Sequence, residues 1–158
     1  MAQTNIILTG FMATGKTTVG RLLADRLGYE FVDTDRLIEA RSGRSIPEIF
    51  REQGEAAFRV LEAEVARELG GREGLVVSTG GRLMLDPDNA AALGRNGRVF
   101  CLVATPEEIL GRVAQDVQHP RPLLEAANPM ERIVELLQAR KDQYGRFRQL
   151  ITSDKSAE

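Results

Sequence analysis

Residues 10 to 17 read Gly-Phe-Met-Ala-Thr-Gly-Lys-Thr, a complete G-x-x-x-x-G-K-[ST] pattern, and they directly follow the apolar run Asn5-Ile6-Ile7-Leu8. A strand, a glycine-bounded loop and a helix opening at Lys16 form one continuous unit, and such a helix must return over a sheet to cover it. Gly10 and Gly15 let backbone N–H groups approach a polyphosphate closely, and the helix start adds the positive end of its dipole. Lys16 can reach the β- and γ-phosphates, and the Thr17 hydroxyl can ligate Mg²⁺. The bland alternative is a glycine-rich turn that binds nothing. The filled fixed positions, with a strand before and a helix after, argue against it.

The length of 158 residues suits one domain, which buries roughly two-thirds of the surface its unfolded chain exposes. A net charge of −2, with 42% hydrophobic and 28% charged residues, speaks against a nucleic-acid or anionic-membrane partner. Cations that handle phosphate must therefore be concentrated locally. The single cysteine, Cys101, lies in the apolar run Val99 to Val103 and reads as a buried, inert thiol. No apolar stretch approaches the ~18 residues of a bilayer span, and the N-terminus lacks the form of a signal peptide, so a cytoplasmic location is expected.

Val19, Leu22, Leu23 and Leu27 give a helical stripe from Lys16 to Leu27, stopped by Gly28. Tyr29 to Val32 reads as a short strand delivering Asp33-Thr34-Asp35 at its end. Two helical stretches follow, the second opened by Ser45-Ile46-Pro47-Glu48, a serine cap with glutamate three residues on. Phe58, Leu61, Val65 and Leu69 mark another helix, ending at Gly70-Gly71. Leu75 to Ser78 is a third strand running into Thr79-Gly80-Gly81, and Arg98 to Val103 a fourth, with a helix start at Thr105-Pro106-Glu107-Glu108. Periodicity fails from Ala114 to Asn128, around His119 and Arg121, which reads as a functional loop. Asn128 caps a last long helix through Arg140 and Tyr144, and Ile151 belongs to a final short strand. Alternating strands and helices imply an α/β fold with a parallel sheet covered on both faces and ligands outside the carboxyl ends of its strands. The glycine loop, Asp33 with Asp35, and Gly80-Gly81 all fall at such ends.

Phosphoryl transfer needs a phosphate cradle, a metal, a group that positions the acceptor and cations for the transferring charge. Asp33 and Asp35, two apart, point to opposite sides while the extended geometry lasts. One could hold Mg²⁺ through water while the other accepts a hydrogen bond from an alcohol; alternatively one of them caps the helix near Thr34. Arg59 borders the apolar stripe beside Phe58, the position of a snorkelling arginine as much as of a ligand. Arg140 is open to the same two readings. Arg121, between two prolines, is placed to carry a cation over phosphates. His119 is given no catalytic role.

Together these residues resemble the shikimate kinases, in the wider nucleoside-monophosphate-kinase-like group of P-loop proteins. The carriers are Gly10 through Gly20, Asp33-Thr34-Asp35, Phe58-Arg59, Thr79-Gly80-Gly81, Arg121-Pro122-Leu123-Leu124, and Arg140 four before Tyr144. The resemblance implies a three-layer α/β sandwich on a five-stranded parallel sheet, one domain over 1–158, a substrate-binding segment near 33–61 and a lid near 113–125. It implies ATP-dependent phosphorylation of the 3-hydroxyl of shikimate, a step of aromatic amino acid biosynthesis, by a monomer. ATP would lie on Gly10, Ala13, Thr14, Gly15, Lys16, Thr17 and Thr18, with Arg112 against adenine. Thr17 and, through water, Asp33 would hold Mg²⁺. Lys16, Asp35 and Arg121 would be catalytic, Asp35 orienting or deprotonating the 3-hydroxyl. Arg59 and Arg140 would clamp the carboxylate, with Gly80 and Gly81 lining the acceptor.

Two departures carry expectations of their own. The family usually has three glycines after the third strand, and here the third position is Arg82; a required positive φ would cost arginine about 1 kcal/mol or more. The chain also stops roughly a helix short of the usual family length, so the residues that would complete the adenine pocket are expected either to be missing or to be supplied by the tail. The competing functions are a kinase of another small hydroxy acid, gluconate-like, on the same fold, and a nucleotide-binding module without turnover.

Overall fold

The computed structural model describes residues 2–116 and 127–153. Five strands form one parallel sheet in the order β2-β3-β1-β4-β5, with β1 Asn5–Gly10, β2 Glu30–Asp33, β3 Leu75–Ser78, β4 Gly97–Val103 and β5 Arg148–Ile151. Around it lie α1 Lys16–Leu27, α2 Thr34–Ser42, α3 Ile46–Gln53, α4 Glu55–Gly70, α5 Pro87–Gly94, α6 Pro106–Gln115 and α7 Pro129–Tyr144, with a 3-10 turn at Leu83–Leu85. This is the three-layer architecture expected from the sequence.

The central strands are buried on both faces, which is why they read as continuous apolar runs rather than alternations. Ile7 and Val77 join the core shared with α4 and α5, built on Val65, Ala66, Leu69 and Leu93. Their neighbours Leu8 and Val76 point to the opposite face, where Ala24 of α1 covers them. A third cluster packs Phe11 and Cys101 of β4 with Ile109, Ile133 and Tyr144. That cluster ties α6 and α7 to the glycine loop.

Local capping sets where each helix begins. Ser45 accepts from the Glu48 N–H while Glu48 reaches back to the Ser45 N–H, the reciprocal box its sequence predicts. Thr105 and Asn128 cap α6 and α7 through Glu108 and Glu131 N–H groups. The sequence reading assigned nothing between Gly81 and Arg98, where the chain forms the 3-10 turn and α5. Asp86 caps α5 by accepting from Asp88 N–H, with Pro87 at its first position. The eight-residue, alanine-rich α5 has too few apolar turns to show a period. Strand β2 also runs one residue further than expected, to include Asp33, and α6 extends one residue past Ala114, to Gln115.

Candidate functional site

In register, Leu8 lies beside Ser78, Asp33 beside Ser78, and Gly10 beside Leu102. The carboxyl ends of β2 and β3 therefore finish level, β1 runs two residues further to Gly10, and the loops leaving all three share one edge.

The glycine loop leaves β1 through Gly10 at φ 134°, and a Cβ there would stand 2.4 Å from the Leu102 carbonyl oxygen of the adjacent strand. Only glycine fits. Ala13 has φ 58°, the one non-glycine residue with positive φ among those described, and Gly15 at φ 101° opens α1. Thr14 Oγ1 donates to the Phe11 carbonyl at 2.8 Å and ties the loop across itself. Lys16 Nζ donates to the Gly10 and Phe11 carbonyls, both at 2.9 Å, so its ammonium lies over the loop. Thr17 and Thr18 are exposed on the first turn of α1.

Beside this loop, Ala13, Gly15, Thr18, Arg112, Val113, Gln115 and Asp116 line an open cavity of about 440 Å³. Arg112 spans its wall, donating from Nη1 to the Ala13 carbonyl at 2.9 Å and from Nη2 to the Thr152 carbonyl at 3.0 Å. Thr152 closes the arrangement by donating from Oγ1 to the Thr14 carbonyl at 2.8 Å. The segment after β5 thus braces the phosphate loop. The sequence signalled no role for Thr152, because a lone threonine after a short edge strand carries no motif.

At the end of β2, Asp33 Oδ1 accepts from the Asp35 N–H at 3.0 Å and the Arg36 N–H at 3.2 Å, capping α2. Asp35 already belongs to the helix, so the expected alternation of the two carboxylates across an extended strand does not apply. The Asp35 carboxylate instead stands over Gly80, where a Cβ would lie 2.5 Å from Oδ1. Thr34 fixes the same junction, its Oγ1 accepting from the Gly80 N–H at 2.9 Å.

Arg140 approaches from α7. Its guanidinium lies 5.4 Å from the Phe11 ring centroid, and Nη1 would stand 3.7 Å from a Cβ on Gly81. It therefore sits between the phosphate loop and the Asp35 pocket, buried at 7% exposure, with its charge acting on the Tyr144 hydroxyl. Tyr144 in turn donates to the Gly81 carbonyl. Burial pushes the Tyr144 hydroxyl up against the opposing pull of Arg140, so it remains a neutral donor.

On α4, spacings of three and four residues put Glu55, Arg59 and Glu62 on one stripe. Arg59 Nη1 donates to Glu62 at 2.5 Å and Nη2 to Glu55 at 3.0 Å. Arg59 is thus a held cation, its guanidinium 5.3 Å over the Phe58 ring, rather than a snorkelling arginine in solvent. Sequence reasoning missed Glu62, which is 1% exposed. A signal existed: an acid sits four after Phe58 and three before Val65, inside the apolar stripe. Burial pushes its carboxyl above the ordinary carboxylate range, against the hydrogen bond and charge of Arg59, and the Asp35 charge adds to the rise.

Arg82 corrects a second expectation. Its φ of −113° and ψ of −6° are ordinary for any residue, so no positive φ is required and no strain results. Cys101 is buried at 1% exposure, and burial raises its thiol pKa, as an inert residue requires. Arg121, His119 and residues 117–125 of the expected lid lie outside the described residues; residues 113–115 form the end of α6.

The structure thus brings together the loop, Asp33, Asp35, Gly80, Gly81, Arg59 and Arg140 along one sheet edge. The family model described as shikimate kinase matches residues 12–158 of this chain. The chain is 48% identical over 151 residues to a shikimate kinase of Thermus thermophilus, covering 96% of this chain and 82% of that protein. It is 50% identical over 140 residues to the Geobacter sulfurreducens shikimate kinase, covering 89% and 76%. Among solved structures, shikimate kinase from Acinetobacter baumannii in complex with shikimate superposes with a TM-score of 0.88 at 40% identity, covering 98% of this chain and 86% of that one.

Proposed function

The chain belongs to the shikimate kinase family, and we propose that this sheet edge performs ATP-dependent phosphorylation of the 3-hydroxyl of shikimate as follows. The acceptor lies over Gly80 and Gly81, its hydroxyl hydrogen-bonded to Asp35. Arg140 and Arg59 take the shikimate carboxylate, since guanidinium groups match a carboxylate with two parallel donors. The Gly81 N–H supplies a further donor. Asp35 orients the hydroxyl and receives its proton as the oxygen attacks the γ-phosphorus of ATP in line, with ADP leaving.

Lys16 exchanges its loop carbonyls for β- and γ-phosphate oxygens and stabilises the charge that moves toward ADP. The cavity beside Ala13, Gly15 and Thr18 is of the size that takes a nucleoside, with Arg112 as its wall. Thr17 and Asp33 fit Mg²⁺: both present hard oxygen donors, and Asp33 commits only Oδ1 to the α2 cap, which leaves acceptor capacity for a metal-bound water. Bound there, Mg²⁺ would neutralise the phosphate charge as it develops. Within one domain, residues 33–61 serve as the acceptor-binding segment. No described helix is long and apolar enough to cross a membrane; by its likeness to the family we read the protein as a cytoplasmic monomer.

The observation that carries these roles is the position of Arg140, which touches the phosphate loop at Phe11 and the acceptor floor at Gly81 with one side chain. It requires the two ligands to be neighbours. The test is ADP release from Mg-ATP with shikimate present or omitted. Strong dependence on shikimate supports the reading. ATP binding with no stimulation would overturn it and favour a different hydroxy-acid acceptor, to be sought by comparing kcat/KM over a panel of polyol acids.

A further inference from the structure

Arg82 stands where the family usually has glycine, and its side chain is committed to the acceptor side of the molecule. From the end of β3 its Nη1 reaches the N-terminus of α4 and donates to Glu55 Oε1 at 3.3 Å. The same oxygen accepts from Arg59 Nη2 at 3.0 Å. One carboxylate oxygen is therefore shared by two guanidinium groups, and Arg59 continues the chain inward to Glu62 at 2.5 Å. Along Arg82, Glu55, Arg59 and Glu62 the side-chain exposure runs 52%, 54%, 32% and 2%. The network leads from the rim to the interior, and its third member is the cation assigned above to the acceptor carboxylate.

Glu55 is a rival for that cation. An incoming carboxylate competes with it for the outward edge of Arg59, whose Nη1 already donates to the buried Glu62. A second cation on the same Glu55 oxygen weakens the rival, since each donor polarises a lone pair the other would otherwise hold alone. Charge balance runs the same way. With glycine at 82 the pocket mouth would lose one positive charge and Glu55 would face Arg59 alone, so the mouth would be more negative. A negative mouth opposes an anionic acceptor but not a neutral one.

We propose that Arg82 is a positioning residue for the acceptor carboxylate: by sharing the Glu55 oxygen it weakens the Glu55–Arg59 pair and so makes the outer edge of Arg59 exchangeable to substrate. The assignment rests on the shikimate reading of the pocket. It gives the third-glycine position of this chain a role in selecting acids over their neutral esters.

The experiment compares the parent enzyme with Arg82→Gly, Arg82→Lys and the double variant Arg82→Gly/Glu55→Gln, using shikimate and its methyl ester as acceptors. Arg82→Gly is expected to raise KM for shikimate about threefold to fivefold, the size of one half-exposed charged pair. Values of kcat, KM for ATP and KM for the ester should stay as in the parent. Lysine at 82 should keep most of the effect, and removing the Glu55 charge in the glycine background should return KM for shikimate to within about twofold of the parent. An unchanged KM in Arg82→Gly, equal losses for acid and ester, or no recovery in the double variant would each overturn the assignment. A parent enzyme with no shikimate-dependent ADP release is a different result, which overturns the acceptor reading itself.

Discussion

Gly80→Ala separates the chemistry of the pocket from the stability of the fold. A Cβ at this position would lie 2.5 Å from Asp35 Oδ1, 3.2 Å from Cγ and 3.3 Å from Oδ2, so the whole carboxylate rests on the Gly80 backbone. Restoring ordinary contact means withdrawing the Asp35 carboxylate by roughly 1 Å, and a misplacement of that size at a reacting group costs on the order of 10²-fold in rate. The fold has little to lose. Gly80 is not among the positive-φ glycines, so alanine suits its backbone, and the reduced freedom of the unfolded chain favours the variant by roughly 0.4–1 kcal/mol. That offsets the roughly 0.5–1.5 kcal/mol of turning Asp35 off its rotamer, leaving net stability within about 1 kcal/mol of the parent. The assay is steady-state phosphorylation of shikimate beside urea unfolding of the same preparations. A variant of unchanged stability with kcat/KM within threefold of the parent would refute the placement of Asp35 as the group that orients the hydroxyl.

Gly10→Ala should behave in the opposite way. Its nearest neighbour is a backbone carbonyl, Leu102 O at 2.4 Å, and φ is 134°, so about 2 kcal/mol or more of stability is lost, read as a lower urea midpoint; a midpoint equal to the parent's would contradict the close approach of loop and β4. Asp35→Asn keeps the volume and removes the proton acceptor, so kcat should fall by about 10² to 10⁴ while calorimetric binding of shikimate changes little; retained turnover would assign the proton to another group. Because burial raises the Glu62 pKa in the folded state, that group's stabilising contribution is complete below the ordinary value of 4.5 and is lost as pH rises through the raised value, with a slope of at most about 1.4 kcal/mol per pH unit. Glu48, Glu55 and Glu68 are held below the ordinary range and act below 4.5, so Glu62→Gln should flatten the fall in urea midpoint just above that pH, and parallel curves for variant and parent would exclude Glu62 as its source.

How much of this was legible in the sequence depends on whether a feature is local. The phosphate loop is contiguous and its glycines answer to local backbone geometry, so eight letters carried it. Caps such as Ser45 and Thr105 are equally local and were readable from residues three apart. The acceptor pocket is assembled from α2, α4, the end of β3 and α7, and its residue types could be named while their pairing could not. Arg59 looked the same in sequence whether it lay in solvent or against Glu62, because that choice is made by the burial of Glu62. Thr152 lies 138 positions from the loop carbonyl it holds, beyond any periodicity argument. Asp33 and Asp35 were singled out from their place at a strand end, but the strand-to-helix switch between them cancelled the alternation expected of an extended chain.

The arginine at position 82 shows how a local rule can mislead at a site. A third glycine suggests a backbone that demands glycine, yet the φ of −113° admits any residue. Space does not forbid a side chain either, since Arg82 turns outward to Glu55. The two glycines before it are different in kind. Gly80 is needed because Asp35 occupies the space a Cβ would fill, and Gly81 has the Arg140 guanidinium as its nearest neighbour. The requirement for small residues thus ends where the pocket floor ends, and the next residue is free to carry charge. On the role proposed for Arg82, a substitution there would alter which acceptor the pocket favours without disturbing Asp35, which would make position 82 a place where specificity can change while the chemistry is kept.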